Sequence, residues 1–170
     1  FRILSSKALE KFKNVQSFQL NQLKNGKFYF SRDRREILLL KYDMWSRWII
    51  EIENLCIEMI GNEEVGEIKS KDIELITLLA KKTEDKYKTV ILKENKEKFD
   101  QEFTKIWLEV HNSAFLYMLD EINMLKGLTY TEMFIKLVDI LIEIMQYTLI
   151  ELHELDSIFC KLKSDCNTCN

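Results

Sequence analysis

The sequence predicts an all-α fold: a single-domain antiparallel helical bundle of five or six helices with a cysteine-bearing C-terminal tail. Three observations carry that expectation. The chain of 170 residues has no proline and only four glycines, at 26, 61, 66 and 127, so few residues interrupt a helix. Between those glycines, apolar residues recur every three to five positions, which lays a stripe along one helix face. At 20.4 kDa, 46% hydrophobic and 31% charged, the chain has the size and composition of one ordinary core.

The first helix, about 4–25, carries Leu4, Leu9, Phe12, Val15, Leu20 and Leu23 and ends at Asn25-Gly26, where glycine suits a C-terminal cap. Ser31 stands as an N-cap, with Asp33 in the first turn, for a second helix over 32–60. Its seam is Ile37, Leu40, Met44, Trp48, Ile52, Leu55 and Met59, widened by Trp45, Ile49, Cys56 and Ile60. Two glycines and two acids make 61–66 a loop. Ser70 then caps a third helix over 71–82, with Asp72 in the first turn, Lys81 and Lys82 in the last, and Ile73, Ile76, Leu79 and Ala80 on its apolar face.

The 60 residues from Glu67 to Lys126 would make a single helix about 90 Å long, against about 40 Å for a compact domain of this size. The chain therefore has to turn without glycine or proline. Thr83 with Glu84 and Asp85 reads as a new N-cap, and Thr89 to Asn95 as a second weak point, so a break is expected between Lys82 and Asn95. The fourth segment is thus 84–126 with a break before about 96, and carries Phe99, Phe103, Trp107, Val110, Ala114, Met118, Ile122 and Leu125. Thr129 and Glu132 form a capping box, with Leu128 and Met133 as a hydrophobic staple, opening a last helix over 130–162. Its polar residues Lys136, Asp139, Glu143 and Gln146 make one narrow stripe, which marks it as the central helix. The tail 163–170 is polar apart from its cysteines.

No run of about 18 uncharged apolar residues occurs, so no transmembrane span is expected. Residues 1–50 hold eleven Lys and Arg against four Asp and Glu, a balance of +7 that leaves −10 for the rest. Packing of the basic third against the acidic remainder is the simplest account. A pI near 5.6 argues against a nucleic-acid partner. The chain opens on Phe1 rather than Met, which reads as a processed start or a cut boundary. Cys56, Cys160, Cys166 and Cys169 are an even number and the disulfide candidates, in any of three pairings, which favours a secreted or extracellular location.

Catalytic and metal motifs are missing. His111 and His153 lack the Glu-x-x-His spacing of a di-metal bundle, since Leu108 and Ile150 stand three residues before them. His153 is expected on the solvent stripe. His153, Cys160, Cys166 and Cys169 offer only one Cys-x-x-Cys, too little for a zinc assignment, and neither metal nor cofactor is expected. No Gly-x-Ser-x-Gly elbow and no glycine-rich phosphate loop is present, so no catalytic residue is assigned.

Two weaker features remain. Lys27, Arg32, Arg34 and Arg35 form an anionic-partner patch among Phe28, Tyr29 and Phe30, although aromatics plugging the bundle end beside wet arginines explain them as simply. Trp45, Trp48, Phe103 and Trp107 either fill the core or line a pocket for an apolar ligand. The economical expectation is a non-enzymatic secreted helical protein that binds a protein partner through helix faces, of the effector, cytokine-like or surface-antigen kind. A helical carrier of an apolar small molecule or lipid is the first alternative, an enzyme with no recognisable motif the second. A homo-oligomer is among the possible assemblies.

Overall fold

The structure, a computed structural model, describes residues 1–24, 32–62, 66–94 and 101–162. It is all-helical and compact, with five helices among the described residues: α1 (Arg2–Lys24), α2 (Arg32–Asn62), α3 (Ser70–Glu94), α4 (Gln101–Asn123) and α5 (Tyr130–Leu162). None of them is long and apolar enough to cross a membrane. The tail from 163 and the linkers 25–31 and 95–100 lie outside the described residues, and with them Ser31 and Phe99.

Helix pairing gives a ring. α2 packs on α3, α3 on α4, α4 on α5 and α5 on α2, while α1 lies mainly against α5 and lightly against α2. Side-chain contacts set the directions. Tyr87 of α3 reaches Ile37 of α2, Trp107 of α4 reaches Tyr87, and Phe103 of α4 meets Phe159 of α5, so each of these neighbours runs opposite to the last. Phe1 meets Phe134 and Lys11 pairs with Asp139, so α1 runs parallel to α5. The Tyr42 hydroxyl donates to Gln19 Oε1 and ties α1 to α2.

Of the turn positions expected between Lys82 and Asn95, Thr83 and Thr89 are corrected by an α3 that runs unbroken to Glu94, and Asn95 lies outside the described residues. Both hydroxyls donate back into their own helix, Thr83 to the Leu79 carbonyl at 2.9 Å and Thr89 to the Asp85 carbonyl at 2.8 Å, so neither opens a new one. The buried register explains the continuity, because Ile73, Ile76, Ala80, Glu84, Tyr87 and Ile91 keep three- and four-residue spacing throughout. Glu84 simply occupies an apolar slot. The Ser70 cap is also corrected: Asp72 Oδ2 accepts the Lys69 backbone N–H at 2.8 Å, so Lys69 is the cap residue and Ser70 the first of the helix.

Other details shift by a residue. α1 buries Ser5, Ala8, Phe12, Gln19 and Leu23 and leaves Leu4 exposed. α4 buries His111 and Phe115 where Val110 and Ala114 were expected, since the register Phe103, Trp107, His111, Phe115, Met118, Ile122 is the one that faces the ring. At α5 Thr129 caps the helix, the Glu132 N–H donating to Thr129 Oγ1 at 3.2 Å, while the Glu132 carboxylate accepts from the Thr129 hydroxyl at 3.0 Å rather than from its backbone N–H. Gly127 precedes it at φ 87°, a left-handed conformation that suits glycine. The short segment after Gly66 pairs with this turn, the Ile68 N–H donating to the Leu128 carbonyl and the Gly127 N–H to the Ile68 carbonyl. A Cβ on Gly66 would collide with the Tyr130 ring, so this close approach needs glycine.

Candidate functional site

Three ring helices put an ionisable side chain into the buried register at one level. Lys41 of α2, Glu84 of α3 and His111 of α4 are 2%, 4% and 1% exposed. His111 Nε2 lies 3.3 Å from Glu84 Oε1, and Lys88 Nζ lies 3.2 Å from the same oxygen. The Lys41 ammonium sits 5.2 Å from the Trp107 ring centroid. Trp107 Nε1 donates to the Tyr87 hydroxyl at 3.1 Å, which donates in turn to the Ile37 carbonyl at 3.1 Å. Tyr87 also packs on the His111 ring with centroids 4.8 Å apart.

Burial decides the charges here. It pulls Lys41 down to about 7, with Glu151 and Glu84 resisting. It also pulls His111 down to about 4, helped by the Lys41 charge and opposed by Glu84, so the imidazole is neutral at pH 7. Burial pushes the Glu84 carboxyl up, but His111 and Lys88 more than offset it and leave it below the ordinary range. The layer thus holds a carboxylate, a neutral imidazole and a weakly basic amine away from water. Such groups are the raw material of acid–base chemistry. None of the three clefts described below is lined by Lys41, Glu84 or His111.

The outer face of α5 inverts that arrangement. Phe18 of α1, Ile150 and Tyr147 of α5 and Tyr117 of α4 are 60%, 48%, 59% and 43% exposed. They cross three helices in sequence. Phe18 and Ile150 line a cleft of about 190 Å³ between α1 and α5, and Tyr117 and Tyr147 line one of about 300 Å³ between α4 and α5. Ile150 and Tyr147 are three residues apart on one face of α5 and join the two. The polar stripe residues Lys136, Asp139, Glu143 and Gln146 are all exposed alongside. A third cleft, about 650 Å³, opens at the start of α3 beside Lys69, Lys71, Lys126 and Tyr130, but Asp72 already occupies the helix terminus.

The sequence-predicted residues fall in several places. Arg34 is buried, its Nε 3.0 Å from Asp156 Oδ1 and its guanidinium 3.8 Å above the Phe103 ring, so it closes the end of the ring rather than joining an outward basic patch. Arg35 is exposed, and the side chains of Lys27 and Arg32 lie outside the described residues. Trp45 and Trp48 pack edge to face at 5.7 Å, with Phe115 stacked on Trp45, and neither indole N–H has a hydrogen-bond partner. Phe103 and Trp107 are buried elsewhere in the ring, and the clefts above are lined by none of the four. Cys56 is a free buried thiol that burial raises to about 12, so it is protonated and unreactive. The side chains of Cys160, Cys166 and Cys169 lie outside the described residues. His153 is half-buried rather than fully solvated. Among the described residues no group of three His, Cys, Asp or Glu side chains has the arrangement of a metal site.

Sequence reasoning missed both inversions. Lys41, Glu84 and His111 were detectable only as charged residues in phase with an apolar stripe, and Phe18, Tyr117, Tyr147 and Ile150 only as apolar residues out of phase with one. Comparisons with protein-family models, with curated proteins and with solved structures give no match for this chain.

Proposed function

We propose that this protein is a non-enzymatic secreted binder that engages a partner protein through the outer face of α5. The observation that carries this reading is the strip Phe18, Ile150, Tyr147, Tyr117, which leaves four large apolar or aromatic side chains in water on a helix whose other sides are covered. Aromatic residues beside shallow clefts are the usual anchors of protein recognition. The architecture we favour is an antiparallel bundle that serves as a rigid scaffold for this face. With Cys56 a buried free thiol, two of the C-terminal cysteines Cys160, Cys166 and Cys169 pair in one disulfide of an extracellular protein of the effector, cytokine-like or surface-antigen kind. The enclosed Lys41, Glu84 and His111 layer is assigned a structural role.

Site-specific photo-crosslinking tests the reading. A photoreactive phenylalanine analogue at Tyr147 or Phe18, in the protein's native setting, is expected to give one and the same discrete adduct, lost in Ile150→Glu. The analogue at exposed Asp43 on α2 gives none. An adduct at twice the chain's mass identifies the partner as a second copy. No adduct from either strip position, or equal labelling from Asp43, contradicts the proposal.

A further inference from the structure

The cleft between α4 and α5 has a chemistry the rest of the strip lacks. Two tyrosine rings, Tyr117 and Tyr147, stand at its rim with the carboxylates of Glu143 and Glu151, and Ile144 forms part of its wall. The Tyr117 hydroxyl donates to Glu143 Oε1 at 3.5 Å, which links the two helices across the opening. Neither Glu143 nor Glu151 takes part in an ion pair among the described residues. At about 300 Å³ the space matches one long side chain and is at the lower limit for a small-molecule site.

We propose that this cleft receives a basic side chain, arginine or lysine, presented by the partner protein that binds the α5 face. The aliphatic stem lies along Ile144, the cationic head faces the tyrosine rings, and Glu143 and Glu151 accept its hydrogen bonds. The assignment rests on the interaction reading, because Tyr147 belongs both to the cleft and to the exposed strip. Charge complementarity selects the occupant. Two carboxylates and no cation line the cleft; after burial, Glu143 and Glu121 raise the Tyr117 hydroxyl, while Glu151 is raised by burial and by Glu154 against a larger opposing effect of Lys41 from the interior. A purely apolar anchor would leave two carboxylates to be desolvated unpaired, which is costly.

The test is an NMR titration of the full-length protein, followed at the ring signals of Tyr117 and Tyr147. The probes are N-acetyl-arginine amide, N-acetyl-norleucine amide and choline. The expected result is saturable shifts with the arginine probe, with affinity on the order of millimolar, that weaken with salt and roughly tenfold in Glu143→Gln. Norleucine gives no saturable shift, and choline binds more weakly than arginine. Equal response to norleucine, no saturable response to arginine, or tighter binding of choline overturns the assignment. A crosslinked adduct from Tyr147 together with silence towards arginine overturns the basic side chain alone and leaves the partner-binding reading intact. Saturable arginine binding without any adduct overturns that reading and leaves a cation site in the cleft.

Discussion

Two regions of this protein break the usual rule of apolar inside and polar outside, in opposite senses. The ring encloses Lys41, Glu84 and His111, and the outer face of α5 exposes Phe18, Tyr117, Tyr147 and Ile150. The inner inversion is answered in part within the molecule, since Glu84 lies close to His111 and Lys88 and the Lys41 ammonium faces an aromatic ring, while His111 Nδ1 has no hydrogen-bond partner among the described residues. The outer one is answered by nothing among the described residues. Charged groups that are paired and sealed shape stability, whereas apolar groups left in water are available for recognition. The two regions should therefore respond to substitution in different currencies.

The largest expected effect is in the inner layer. Trp107 is fully buried, bonds Tyr87 and faces Lys41, so Trp107→Ala should cost about 3–5 kcal/mol. Equilibrium urea unfolding reads this, and a loss below about 1 kcal/mol would show that the layer is loosely packed. Glu84→Gln keeps the shape but removes the charge that faces His111 and Lys88, with a smaller expected loss of about 1–3 kcal/mol.

Lys41 separates burial cost from pairing gain. Replacement of a buried charge by an apolar residue of similar length is often neutral or stabilising, by up to about 1–4 kcal/mol, so Lys41→Met should unfold at equal or higher urea at pH 6. A clear destabilisation would mean that its charge is a net support. The pH response has a definite sign. Lys41 and His111 are bases held down to about 7 and about 4 in the fold, against ordinary values of 10.5 and 6.5, so the unfolded chain binds more protons. Stability then rises with pH: the His111 part is lost as pH falls from 6.5 to about 4, and the Lys41 part is gained between about 7 and 10.5. The lowered Glu84 acts in the same sense below the ordinary carboxyl range, the raised Glu151 opposes it just above that range, and the Cys56 thiol, raised from 9.0 to about 12, opposes Lys41 above about pH 9. Urea midpoints at pH 7 and pH 10 should differ in the wild type, and the difference should shrink in Lys41→Met. An unchanged difference assigns it to other groups.

The smallest stability effect belongs to the strip. Ile150→Glu or Phe18→Glu should stay within about 0.5 kcal/mol of the wild type, because both side chains already stand in water.

Much of the helical framework was legible in the residues. Glycines 26, 61, 66 and 127 fall at or near helix ends, the Thr129 cap opens α5, and the helix with the narrow polar stripe, α5, packs on three others, as α2 also does. The misreading at Thr83 has a physical cause. A glutamate beside a threonine resembles a helix start, and Glu84 is tolerable in a buried slot because Lys88, one turn on, and His111, on another helix, both face it. Arg34 failed in the same way, since its partners Asp156 and Phe103 are distant in the chain. The exposed strip was illegible for the converse reason. Periodicity shows which residues share a face, but how far a neighbouring helix covers that face depends on packing, as exposed Leu4 and Ile150 demonstrate.

The most direct measurement is urea unfolding of the double variant Phe18→Glu, Ile150→Glu beside Glu84→Gln at pH 7. The double variant should match the wild type within about 0.5 kcal/mol, while Glu84→Gln falls by about 1–3 kcal/mol. The reverse order, with the strip variant unfolding early and Glu84→Gln unaffected, would contradict the assignment of the inner layer to stability and the outer face to recognition.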